Sequence, residues 1–147
     1  MNPAQVAMVQ ASWQQVLPIR RQAAALFYGR LFSLDPSLRA LFHTPIAEQG
    51  DKLINMIDAA VGKLDRLDQL LPVVHALGAR HQGYGVQPEH YATVGDALLW
   101  TLEQGLGETF TGELREAWGE VYSALAAAML DGASAADGYP PATLAAA

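Results

Sequence analysis

The sequence predicts an all-α domain of six or seven helices, and three observations carry that prediction. Apolar residues recur every three to four positions through most of the chain, prolines and glycines interrupt those stripes at short intervals, and no stretch shows sustained two-residue alternation. With 147 residues, 51% of them hydrophobic, the chain can bury one sizeable core and is too short for two ordinary domains.

Residues Ala4 to Leu17 place Val6, Val9, Trp13 and Val16 at helical spacing, and Pro18 ends this first helix. From Ile19 to Leu34 the stripe runs Ala24, Phe27, Tyr28, Leu31 and Phe32. Asp35-Pro36 closes it and also reads as the N-cap and first position of a short helix reaching Phe42, because an aspartate accepts orphan N–H groups and proline presets the first turn. Thr44-Pro45 repeats that signal. The helix it opens carries Leu53, Ile57, Ala60 and Leu64 on one face, with Gln49 one turn ahead of Leu53 and Lys52 at the edge.

A further helix from Leu67 to His81 bears Leu70, Val74 and Leu77; Pro72 removes a donor near its start and leaves that boundary poorly defined. From Pro88 to Leu106 the stripe is Tyr91, Val94, Leu98 and Leu102, closed by Gly107. Thr111 then opens a last helix with Leu114, Trp118, Val121, Leu125 and Met129, which Gly132 is expected to end. The segment 131–147 is rich in Ala, Gly, Ser and Pro, with too little large apolar surface to offset the entropy of ordering, and is expected to be a disordered tail.

Nine Lys and Arg against fifteen Asp and Glu give a net charge of -6 without a basic helix face, which disfavours a nucleic-acid or anionic-membrane role. The absence of cysteine rules out disulfides, thiol catalysis, iron–sulfur clusters and thioether-linked haem, so any metal must come through His, carboxylate or a cofactor. The N-terminus lacks a signal-peptide pattern, and no segment approaches the ~20 apolar residues that span a bilayer. A cytoplasmic protein is expected.

The stretch around which these elements are organised is Leu77-Gly78-Ala79-Arg80-His81-Gln82-Gly83-Tyr84-Gly85-Val86. Counting back from His81 in threes and fours gives Leu77, Val74 and Leu70, so the histidine continues the buried stripe of its helix. Gly83 and Gly85 then allow a tight corner that a bulky ligand could approach closely. Taken alone, His81 reads first as a core or helix-end histidine meeting the helix dipole, and only second as a residue presenting a neutral ring nitrogen to a ligand.

Several stretches together resemble the globins, over about residues 4–130: Ser12-Trp13, Leu26-Phe27-Tyr28-Gly29-Arg30-Leu31-Phe32, Pro36 through Leu41-Phe42, Ile57-Asp58-Ala59-Ala60-Val61, Leu77-Gly78-Ala79-Arg80-His81, Thr93-Val94-Gly95-Asp96-Ala97-Leu98-Leu99, and Ala117-Trp118 with Tyr122. They are similar to neuroglobin-like globins and to bacterial single-domain globins of the Hell's Gate type. The resemblance implies a globin fold of six to eight helices around a haem pocket, in a haem-binding domain of residues 1–130 holding haem b (iron protoporphyrin IX). It makes His81 the proximal iron ligand through Nε2, with Nδ1–H donating to a main-chain carbonyl near Leu77. Phe42 matches the phenylalanine that stacks on haem.

On the distal side Gln49 stands where many globins carry a histidine, and Tyr28 occupies the position facing the bound gas. A buried phenol and a buried amide need partners, and a bound diatomic bearing partial negative charge would be one. Leu53 and Val94 would line the distal and later-helix sides of the pocket, and Leu77 and Val86 the proximal side. Lys52 and Arg80 would lie near the haem propionates, with His43 a further neighbour, whereas His75 and His90 read as surface histidines. The function so implied is reversible, high-affinity binding of O2, and of CO or NO, through a Tyr/Gln distal pocket. A nitric oxide dioxygenase working with a separate reductase, or a gas sensor, are the alternatives.

Overall fold

The computed structural model describes residues 2–83 and 85–136, and among them the chain is helical with no strand. α1 (Pro3–Val16) starts at a reciprocal cap: Gln5 N–H donates to Asn2 Oδ1 at 2.9 Å and Asn2 N–H to Gln5 Oε1 at 3.0 Å, so each side chain satisfies a main-chain donor. A 3₁₀ turn, Leu17–Ile19, leads into α2 (Arg20–Leu34). The short Pro36–Leu41 segment is also 3₁₀ and is capped as the sequence predicts, with Asp35 Oδ1 accepting from Ser37 N–H at 3.1 Å. α3 (Ile46–Gly62), α4 (Leu67–Gly83), α5 (His90–Leu106), the 3₁₀ turn Gly107–Thr109 and α6 (Gly112–Ala136) complete the chain.

The core is pinned at one end by two tryptophans. Trp13 and Trp118, both essentially inaccessible, meet at a ring-centroid distance of 6.1 Å. Trp118 Nε1–H donates to Ser12 Oγ at 2.9 Å, the Ser12 hydroxyl donates to the Val9 carbonyl at 2.8 Å, and Trp13 Nε1–H donates to Asp58 Oδ1 at 2.9 Å. Each buried indole therefore keeps a partner for its N–H, and α1 is tied to both α6 and α3.

Of the two punctuation residues, Pro72 lies inside α4 near its start, as the sequence predicts, where the N–H it lacks deprives only a carbonyl in the exposed first turns. Gly132 does not end α6, which continues to Ala136; it is buried at a helix crossing instead. The rest of the expected tail, 137–147, lies outside the described residues.

That crossing sets the position of α4. A Cβ on Gly78 would fall on the main chain of Met129, and a Cβ on Gly132 would fall on the main chain of His75, so α4 and α6 approach through a glycine from each helix. Gly78→Ala is expected to cost about 3 kcal/mol or more, at the upper end of overpacking, because the obstacle is backbone rather than a side chain that can rotate. Gly119→Ala, in the middle of α6 with nothing near its would-be Cβ, should gain about 0.5–1 kcal/mol from helix propensity. Urea unfolding of the two variants checks the contrast; equal stabilities would mean that the crossing can relax.

α2 packs against α5 and α3, α1 against α6 and α3, and α4 lies along α6. Among the described residues, α3 and α4 make no extensive contact with each other although they follow one another in sequence.

Candidate functional site

α4 delivers His81 in its last turn. The ring nitrogen Nδ1 stands 2.8 Å from the Leu77 carbonyl, four residues back, and since a carbonyl only accepts, Nδ1 carries the hydrogen and the lone pair sits on Nε2. Burial holds the imidazole below its usual pKa; the Leu77 hydrogen bond opposes that shift and the neighbouring Arg80 charge adds to it. The ring is thus kept neutral, with its tautomer chosen by a main-chain contact.

After α4 the chain turns through Gly85 N–H to Gln82 O and Val86 N–H to His81 O, each at 3.1 Å. Of the two glycines expected to make this corner, Gly83 is still helical and Gly85 takes the left-handed φ of 92°. Among the other histidines, His43 and His75 are exposed, while His90 is half-buried and its Nδ1 accepts from Gln87 N–H at 2.9 Å at the entry to α5.

Tyr28 is 3% exposed and sits in an aromatic group: edge-on to Phe27 at 5.0 Å and to Phe42 at 5.4 Å, and stacked on Phe32 at 5.9 Å. Phe32 also meets Phe42 edge-on at 5.5 Å. Phe32, to which the resemblance assigns no role, lies one helical turn beyond Tyr28 on the same face of α2.

The buried phenol finds its partner within the chain: Tyr28 OH donates to the Gln49 main-chain carbonyl at 3.3 Å. Burial pushes its pKa up to about 12, a separate contact with the Gln49 side chain opposing this only in part, so the phenol is a neutral donor at physiological pH. The Gln49 side chain is partnered as well. Its Oε1 accepts from the Thr44 hydroxyl at 2.8 Å, which turns the amide NH₂ the other way. Thr44 therefore does not cap α3 as its sequence context suggests; the N-cap is Pro45, with no side-chain bond.

The apolar residues expected to line a pocket share one property. Phe42, Leu53, Leu77, Val86 and Val94 are all half-buried, each keeping some accessible surface. On α3 the stripe is broader than predicted: Gly50, Ile54 and Val61 are buried, with Gly50 tight against Ala24 of α2, while Leu53 and Ile57 occupy the adjacent face. Lys52 and Arg80 are exposed.

Among the described residues no three His, Cys, Asp or Glu side chains cluster to hold a metal ion. A metal at His81 would have to bring most of its ligands with it.

Comparison with known proteins bears on this site directly. A family model described as "Globin" matches residues 25–129. Neuroglobin of Tetraodon nigroviridis is 34% identical over 139 residues, covering 85% of this chain and 87% of that protein. The flavohemoprotein of Bacillus subtilis is 34% identical over 107 residues, which span 71% of this chain but 27% of the relative. Among solved structures, an engineered carbene transferase derived from a candidate nitric oxide dioxygenase of Rhodothermus marinus superposes with a TM-score of 0.84 at 25% identity, covering 94% of this chain and 96% of the other.

Proposed function

The chain belongs to the globin family, and on that premise we propose that it is a cytoplasmic haem b protein that binds dioxygen reversibly and with high affinity through Tyr28 and Gln49. The observation that carries this reading is the state of Tyr28: a buried, neutral phenol whose own partner is a carbonyl at the long distance of 3.3 Å. Such a donor can turn to a better acceptor at little cost.

The residues fit the cofactor. His81 offers one neutral nitrogen in a fixed tautomer, and Phe42, Leu53, Leu77, Val86 and Val94 offer apolar surface without buried charge. His81 would hold the iron of a bound haem through Nε2, and the haem would supply the iron chemistry that binds a diatomic gas. The chain's own part is selection and retention: the aromatic group around Tyr28 excludes water, the phenol donates to the oxygen atom that draws negative charge, and the Gln49 NH₂ adds a second donor. Glutamine is a poor iron ligand, so the ferrous protein without gas is five-coordinate on this reading. Lys52 and Arg80, both exposed, would contribute little to holding the propionates.

Optical spectra of the purified protein in ferric, ferrous, O2 and CO forms test this. The expected set is a five-coordinate ferrous form that takes up CO and gives a stable O2 complex. Absence of a haem spectrum, or immediate oxidation in air, would contradict it.

A second reading is favoured by the likeness to the Rhodothermus marinus structure and to the haem-bearing flavohemoprotein: a nitric oxide dioxygenase, converting NO and O2 to nitrate. Turnover would then require one electron returned from a separate reductase. Steady NO consumption on adding a reductase and NADH, against a single burst without them, distinguishes it from simple O2 binding.

A further inference from the structure

We propose that Thr44 is a positioning residue for the distal pocket, fixing the direction in which Gln49 donates. The inference rests on the haem-globin reading above. A glutamine amide has an acceptor end and a donor end, and which of them faces a bound gas decides whether the side chain stabilises a negatively charged ligand or repels it. In this chain the amide oxygen is engaged by Thr44 and the side chain also meets Tyr28. Thr44, in the loop between Phe42 and α3, donates its hydroxyl to Gln49 Oε1 at 2.8 Å, a good length for such a bond, and both groups are partly buried.

With the oxygen end held at Thr44, the NH₂ end is the one left to turn toward the phenol and its ligand. The Gln49 backbone is held at the same time: its N–H donates to the Pro45 carbonyl at 3.0 Å and its carbonyl accepts from Tyr28. Main chain and side chain of Gln49 are thus held by three partners, Pro45, Tyr28 and Thr44, and Thr44 is the one that takes the amide oxygen. Without it the amide can flip end for end or swing outward. Thr44 itself touches neither cofactor nor ligand on this account.

The test compares Thr44→Val, which keeps the shape and removes the hydroxyl, with Thr44→Ser, which restores a hydroxyl, and with Gln49→Leu. All are made in the full-length haem-loaded protein. Stopped-flow O2 and CO dissociation and the infrared C–O stretch of the ferrous CO form are measured. Thr44→Val is expected to speed O2 release by about three- to tenfold, with little change for CO, as befits losing the alignment of one hydrogen bond. It should also raise the C–O stretch in the direction given by Gln49→Leu, because a donor near bound CO lowers that frequency. Thr44→Ser should stay near the parent. The double variant Thr44→Val/Gln49→Leu should be no faster than Gln49→Leu alone, since the two side chains act as one unit. If Gln49→Leu changes both readouts and Thr44→Val changes neither, the positioning role is overturned and the distal reading stands. If Gln49→Leu itself is silent, the distal assignment of Gln49 falls and the role of Thr44 falls with it.

Discussion

Replacing His81 by alanine is expected to abolish stable haem retention. The residue is the one candidate metal donor on the inward face of α4, and the described residues contain no His, Cys, Asp or Glu cluster able to substitute for it. Its Nδ1–H bond to the Leu77 carbonyl fixes the tautomer, so on the proposed reading it would be Nε2 that ligates. Reconstituted His81→Ala should lose its haem on a desalting column that the parent survives, and added imidazole should partly restore the ferrous CO spectrum by filling the space left. Far-UV circular dichroism guards against simple unfolding. Unchanged retention and an unchanged CO spectrum would remove His81 from the site.

The second large effect concerns gas release. A hydrogen bond to an acceptor of ionic character is worth ~1.5–3 kcal/mol, but Tyr28 must give up its 3.3 Å bond to the Gln49 carbonyl to make it. The exchange reduces the net gain, so Tyr28→Phe should accelerate O2 dissociation by about tenfold, with about a hundredfold as the upper limit. Bound CO draws far less negative charge and serves as the control, its release changing little. Equal acceleration of both gases would show that the phenol blocks an exit path rather than holding the ligand, and no change would take Tyr28 out of the pocket.

How far the sequence discloses this molecule depends on whether a feature is local. Helical stripes are local, and every predicted helix is present within a few residues, as are the Asp35 cap and the main-chain partner of His81 four positions back. Features that depend on a neighbouring element are less legible. Gly132 looks like a stop until the main chain of His75 is seen against it, and Thr44 looks like a cap until its hydroxyl is seen donating to Gln49. Leu53 and Ile57 show the same limit: periodicity puts them on an apolar face but cannot say that the face beside it, with Ile54 and Val61, is the one that packs shut. The partners of Tyr28 and Gln49 were equally out of reach, since a buried polar side chain announces only that it needs a partner.

The crossing of α4 and α6 has a consequence for how this sequence can drift. A clash between two side chains can be relieved by a second mutation that shrinks the partner, which opens a two-step route between one viable sequence and another. At Gly78 and Gly132 the obstacle on the opposite helix is backbone, which every amino acid carries alike. No substitution at Met129 or His75 can make room, so neither glycine has a compensating partner and each is closed to single-step change. Divergence there requires the two helices to separate as bodies, carrying His81, three residues beyond Gly78, away with them. Descendants of this chain that keep the histidine's placement should therefore keep both glycines, whatever else on α4 and α6 they exchange.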